Sequence, residues 1–175
     1  MPTGGTTELF KAVTEMVPFM QDTPHRKRAM LVITDGIDNS VIAALNRQQV
    51  RPGPGGSLPD VGLTEPAGKA QEALRSGEVL LYALGINVAS RAGSVHLPSL
   101  QRLAEPTGGS AIVASNLREV ETEAQRIADE LRQQYTLGFY PKKSADGTYR
   151  HITVTTRNVS LRVRTREGYL ASKPK

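Results

Sequence analysis

The chain has 175 residues, a formal net charge of +5, 38% hydrophobic residues and no cysteine. That length suits one domain with a small appendage, and it can bury a core without disulfides; the missing thiols exclude thiolate metal sites and cysteine nucleophiles. No apolar run approaches the roughly 20 residues of a membrane span, and the opening MPTGGTTELF is not a signal-peptide pattern.

In chain order, Thr6–Gln21 places Leu9, Phe10, Val13, Met16, Val17 and Met20 at helical spacing. Thr6 or Thr7 is the natural N-cap, and Pro18 is expected to kink or end the helix in its last turn. The stretch Arg28–Asn39, RAMLVITDGIDN, contains the continuous apolar run Met30–Ile33. Such a run reads as a strand buried on both faces, and strands of that kind belong to parallel sheets covered by helices. Ligands gather outside the carboxyl ends of such sheets, where Thr34-Asp35-Gly36 sits.

Ser40–Val50 is weakly helical, with Val41, Ile42 and Leu45 on one side, and the Gly/Pro-rich Arg51–Leu63 is a loop. Pro66–Ser76 resumes a helix through Ala70, Ala73 and Leu74, with Gly77 as its stop. Glu78–Ile86 is a second buried strand, Asn87–Leu97 a loop, and Pro98–Glu105 a short helix closed by Pro106 and Gly108-Gly109. Ser110–Ala114 is a third strand. Asn116 and Glu119 form a capping box before a helix whose apolar stripe is Leu117, Val120, Ala124, Ile127, Ala128 and Leu131.

Alternating strands and helices predict an α/β fold, a doubly wound parallel sheet, over residues 1–133. Residues 134–175 form a β extension. Tyr135–Tyr140 reads as a strand, Asp146-Gly147 as a turn, and His151–Thr156 and Ser160–Arg166 as half-buried antiparallel strands joined near Asn158.

Two features could carry chemistry. Asp35 lies at a strand's carboxyl end, followed by Gly36, Asp38 and Asn39, and Gly4-Gly5-Thr6-Thr7 is a flexible loop ending in hydroxyls. A hard cation such as Mg²⁺ takes carboxylate, hydroxyl and water oxygens, and these residues offer part of that shell. Asp-Gly is equally a common turn, and a threonine at a helix start is equally a cap.

GGTTELFKAV followed by RKRAMLVITDGIDN resembles part of a von Willebrand factor type A (VWA) domain. That family builds a metal-ion-dependent adhesion site from an Asp-x-Ser-x-Ser motif, a threonine in a Gly-Thr loop and an aspartate in a Thr-Asp-Gly turn. The resemblance implies Thr6 and Asp35 as metal-site residues, Asp35 acting mainly through bound water, with Gly5, Gly36, Asp38 and Asn39 around them. It implies Mg²⁺, or Mn²⁺ or Ca²⁺, as cofactor and a protein partner whose acidic side chain completes the coordination. EVLLYALGI and LPSLQRLAEPTGGSAIVAS match the family's later strands and helix, and YTLGFYP…DGTYRHITV…LRVRTREGYLA resembles the tail of a bacterial, acidobacterial-type subgroup.

The family's Asp-x-Ser-x-Ser motif lies upstream of its Gly-Thr loop, whereas five residues precede Thr6 here. The resemblance therefore implies that this sequence corresponds to the C-terminal part of a longer, exported protein. It implies an incomplete cation site and weak Mg²⁺ binding. It also leaves Arg28–Thr34 as an uncovered apolar edge open to self-association or to another chain.

Catalysis and nucleic-acid binding are the competing classes. His25, His96 and His151 are scattered, fall in expected loops or on a solvent face, and have no nucleophile motif beside them. The Gly-rich stretches lack the Gly-Lys-Ser/Thr ending of a phosphate loop. Residues 132–175 hold ten of the 22 Lys and Arg but two of the 17 Asp and Glu, so the basic character is local. Arg162, Arg164 and Arg166 line one face of an expected strand and could bind anions or nucleic acid; a solvated strand face is the simpler account.

Overall fold

The computed structural model describes residues 7–25, 27–49, 58–87 and 95–171. Helix α1 (Leu9–Gln21) precedes strand β1 (Arg28–Thr34), followed by α2 (Asn39–Arg47), α3 (Glu65–Gly77), β2 (Val79–Ile86) and α4 (Leu97–Ala104). A 3-10 turn (Glu105–Thr107) leads into β3 (Ser110–Ala114) and α5 (Leu117–Arg132). The extension contributes β4 (Tyr149–His151) and β5 (Gly168–Leu170).

The three long strands form one parallel sheet in the order β1-β2-β3. Met30 stands beside Leu81 and Val32 beside Ala83, which in turn neighbours Ala111. Since paired residues share a face, these make one side of the sheet, and Phe10, Val13, Val17, Val41, Leu45, Ala70, Leu74 and Leu103 pack there from α1 to α4. Helix α5 lies on the opposite side, where Ile127 is buried and Glu130 receives the hydroxyl of Tyr82 at 3.2 Å. Helices on both faces of a parallel sheet make this an α/β fold.

The central strand is covered on both faces, but β1 is not. Its residues alternate, and Leu31 is 44% and Ile33 55% exposed on the α5 side. This corrects the expectation of a strand buried on both faces: α5 reaches β2 and β3, and nothing among the described residues covers that face of β1. The apolar run made the two faces look alike, because period cannot reveal which side lacks a helix.

Smaller corrections have local causes. Helix α1 runs through Pro18 to Gln21, while Val17 stays buried beneath it. Its N-cap is Glu8 rather than a threonine, and the Glu8 side chain makes no capping hydrogen bond. Helix α3 includes Gly77, and the left-handed residue after it is Glu78, at φ 52°. Gly77 serves packing instead: a Cβ there would stand 2.5 Å from Val17 Cγ1, so its absence lets α1 and α3 approach. Ile42 points outward from α2, 41% exposed, while Ala44 joins Val41 and Leu45 inside. The stripe of α5 is only half-covered: Ile127 is buried but Leu117 and Leu131 are exposed.

The extension differs most. Residues 135–140 form no strand, and the ladder joins β4 to β5, with Tyr149 beside Leu170 and His151 beside Gly168. Of the expected strands 151–156 and 160–166, only His151 lies in this ladder; Ile152 N donates to Glu167 O at 2.8 Å, beyond the second expected strand, and the chain between loops out around Asn158. Alternation alone did not say which residues pair. The turn at Asp146-Gly147 is present, with Gly147 at φ 76° and its N–H donating to Ala171 O.

Candidate functional site

The carboxyl edge of the sheet gathers helix starts. Strand β1 ends in a tight turn in which Thr34 Oγ1 accepts from Gly36 N and donates to Gly36 O, at 3.2 and 3.1 Å. The turn presents Asp35 outward: its carboxylate is exposed and bonds to no other described residue. Gly36 faces back toward the start of α1, where a Cβ would come within 2.8 Å of Thr7 Oγ1. Thr7 O accepts from Asn39 N at 2.9 Å, so the segment before α1 is tied to the segment after β1. Gly5 and Thr6, the other expected members, lie outside the described residues.

Asp38 is a structural cap rather than an open ligand. It is buried, and its Oδ1 accepts from Ser40 N at 2.8 Å and Ser40 Oγ at 2.6 Å, while Oδ2 accepts from Phe10 N at 3.1 Å. One carboxylate therefore caps α2 and the first turn of α1 together, where both helix dipoles favour negative charge. Ser40 Oγ also meets Thr64 Oγ1, at the N-cap of α3, at 2.9 Å. With its oxygens committed to these donors, Asp38 is the residue that holds the edge together.

His96 is corrected from a surface residue to a buried one, 3% exposed, at the N-cap of α4. Its Nε2 lies 2.8 Å from Pro59 O, a pure acceptor, so Nε2 carries the proton. Nδ1 then accepts, from Ser99 Oγ at 2.6 Å and Ser99 N at 3.3 Å. The neutral ring joins the loop before α3 to the start of α4. Beside it Arg102 Nε donates to Asp60 Oδ1 at 3.1 Å, and this bond, with that from Gly62 N, holds the Asp60 carboxyl below its ordinary value. The Pro98 at the head of α4 and Ser99 three residues after His96 were the available signals of a capping position.

Between these parts lies a gap of about 10 Å³, lined by Leu9, Gly36, Asp38, His96 and Ser99 among others, with room for at most one water. A ligand larger than one water does not fit inside this gap. Among the described residues no three His, Asp or Glu side chains converge as a metal cluster.

The arginines do not form one cationic face. Arg164 pairs with Glu130 of α5, and Arg166 with Glu78 at 2.5 Å. Arg162 is exposed, with no bond to a described side chain. Two of the three are thus neutralised inside the molecule, in different directions. No helix among the described residues is long and apolar enough to cross a membrane. No protein-family model matches the chain, and no curated protein matches it.

Proposed function

We propose that the chain is a protein-binding module of the von Willebrand factor type A kind, in which a divalent cation at the carboxyl edge of the sheet meets an acidic side chain of a partner. The observation that carries this reading is Asp35: an exposed carboxylate, bonded to no other described residue, at the end of a parallel strand. The donor set suits a hard cation in kind, since Asp35 offers a carboxylate and the Thr6-Thr7 segment hydroxyls. It is sparse in number, so most of an octahedral shell comes from water and from the partner. The cation supplies a positive centre for the partner's carboxylate, while Asp38, Ser40 and Thr64 keep the supporting turn in place.

Sparse ligation makes the affinity weak, with a dissociation constant above about 1 mM for Mg²⁺. Paramagnetic broadening detects binding of that strength. On titrating the ¹⁵N-labelled chain with Mn²⁺, the amides of Thr7, Asp35 and Gly36 should broaden first, and Asp35→Ala should abolish the effect. Acetate, as a minimal partner carboxylate, should strengthen the broadening. Diffuse broadening over exposed acids, unchanged by Asp35→Ala, would sink the proposal.

A further inference from the structure

We infer that residues 164–168 are an ionic strap, which holds the extension closed over the amino edge of the sheet and releases it as a unit while the α/β body stays folded. The strap meets the body through charges of both signs. Arg164 pairs with Glu130 of α5, Arg166 with Glu78 at 2.5 Å, and Glu167 with Arg75 of α3 at 2.7 Å. The Arg75 guanidinium also lies 5.1 Å from the ring centre of Tyr149 in β4. A backbone bond joins the two parts, Glu167 N donating to Pro106 O at 2.8 Å. Gly108, at φ 90°, lets the strap come this close, since a Cβ there would stand 2.9 Å from Arg166 N.

Apolar packing adds little to these contacts. Within residues 134–171 only Gly168 and Ala171 are buried, and the main core takes no side chain from them. Beneath the strap lies a cavity of about 70 Å³, lined by Leu74, Val79, Leu80, Pro106, Tyr149 and Gly168 among others, with room for several waters. The paired side chains are 27% to 57% exposed, and ion pairs in such places are individually weak and screened by salt. A junction with few buried apolar contacts opens at a lower free energy than the body unfolds.

Opening has a chemical consequence. It parts Arg164 and Arg166 from carboxylates that stay behind on the body, and it leaves both beside Arg162, which bonds to no described residue. Three arginines within five residues then carry unpaired charge. The closed strap is therefore an autoinhibitory contact, masking a cationic segment that the open one presents.

The strap lies at the amino edge of the sheet, away from Asp35 at the carboxyl edge, so it stands or falls without the cation reading. Amide hydrogen exchange of the full 175-residue chain, read by NMR, separates local opening from global unfolding. The Glu167 amide should exchange faster than that of Leu84, fully buried in β2, and the ratio should rise about tenfold from about 0.05 M to about 1 M NaCl. Arg166→Glu should raise the ratio by a similar factor at low salt. Adding Glu78→Arg should bring it back, which a loss of packing cannot do. The Leu84 amide shows in each variant whether the body remains folded; should Arg166→Glu lower its protection, Arg164→Gln takes its place and should raise the ratio at low salt. Equal exchange at Glu167 and Leu84, a ratio indifferent to salt, a double exchange no better protected than Arg166→Glu, or an Arg164→Gln ratio equal to that of the unaltered chain would overturn the proposal.

Discussion

Asp38 and Asp35 are three residues apart and have opposite fates, which follow from where their oxygens point. The buried carboxylate of Asp38 accepts from two helix starts, and removing it strands Phe10 N and Ser40 N together in a region with little room for water. Asp38→Ala should lower stability by about 2–3 kcal/mol, seen as a fall in melting temperature of roughly 5–10 °C. Asp35→Ala should leave the melt almost unchanged, since that carboxylate is exposed and bonds to no other described residue. Equal losses in both variants would mean that the two aspartates share one structural role. Sequence brought both residues to the right edge, because Thr34-Asp35-Gly36 closes a strand whose parallel setting was readable. It did not separate cap from ligand: Asp38 caps α1 from 28 residues away, and no local pattern encodes that distance. His96 escaped for a similar reason, its burial depending on Pro59 from another loop.

Elements were legible in proportion to how completely their neighbours cover them. Strand β3 and the start of α5 stand where patterning puts them, and Asn116 Oδ1 does accept from Glu119 N, at 3.0 Å. Glu119 Oε2 accepts one residue early, from Ser115 N at 2.7 Å rather than from the cap's backbone N–H, while Oε1 accepts from the cap's side-chain Nδ2 at 2.8 Å. The extension, exposed along much of its length, has weaker instructions: Val159 and Leu161 alternate with polar residues yet are 97% and 60% exposed. What fixes it is the turn before β4. Asp146 accepts from the hydroxyl of Thr148 at 2.6 Å and from its backbone N–H at 3.1 Å, with Arg150 adding a charge-assisted bond. The Thr148 hydroxyl is the main cause, followed by its N–H, of a carboxyl lowered from 3.8 to about 2. A carboxyl depressed in the folded state stabilises it above the ordinary value, and that contribution is lost as pH falls from 3.8 toward about 2. Thr148 and Arg150 amide shifts followed downward in pH should therefore titrate with a midpoint near 2 and lie flat in Asp146→Asn. A midpoint near 3.8 would show that the turn does not hold the ionised form.

Across the whole molecule the sheet is covered unequally, and that asymmetry decides which apolar residues matter to stability. Leu81 and Ile33 are both branched aliphatics in adjacent parallel strands, yet one is 0% exposed and the other 55%. Helices α1 to α4 all contribute to the core on Leu81's side, whereas α5 alone serves the other face and stops short of β1. Leu81→Ala leaves a cavity among close-packed neighbours and should cost about 2–5 kcal/mol. Ile33→Thr removes a side chain that water already reaches and keeps β-branching, so its effect should stay within about 0.5 kcal/mol. Urea unfolding measures both, with an unchanged slope indicating that the same surface is exposed. If Ile33→Thr proved as damaging as Leu81→Ala, the open face of β1 would have to be covered within the monomer. Leu31 and Ile33 would then be core residues, closed on the side where α5 stops short of β1.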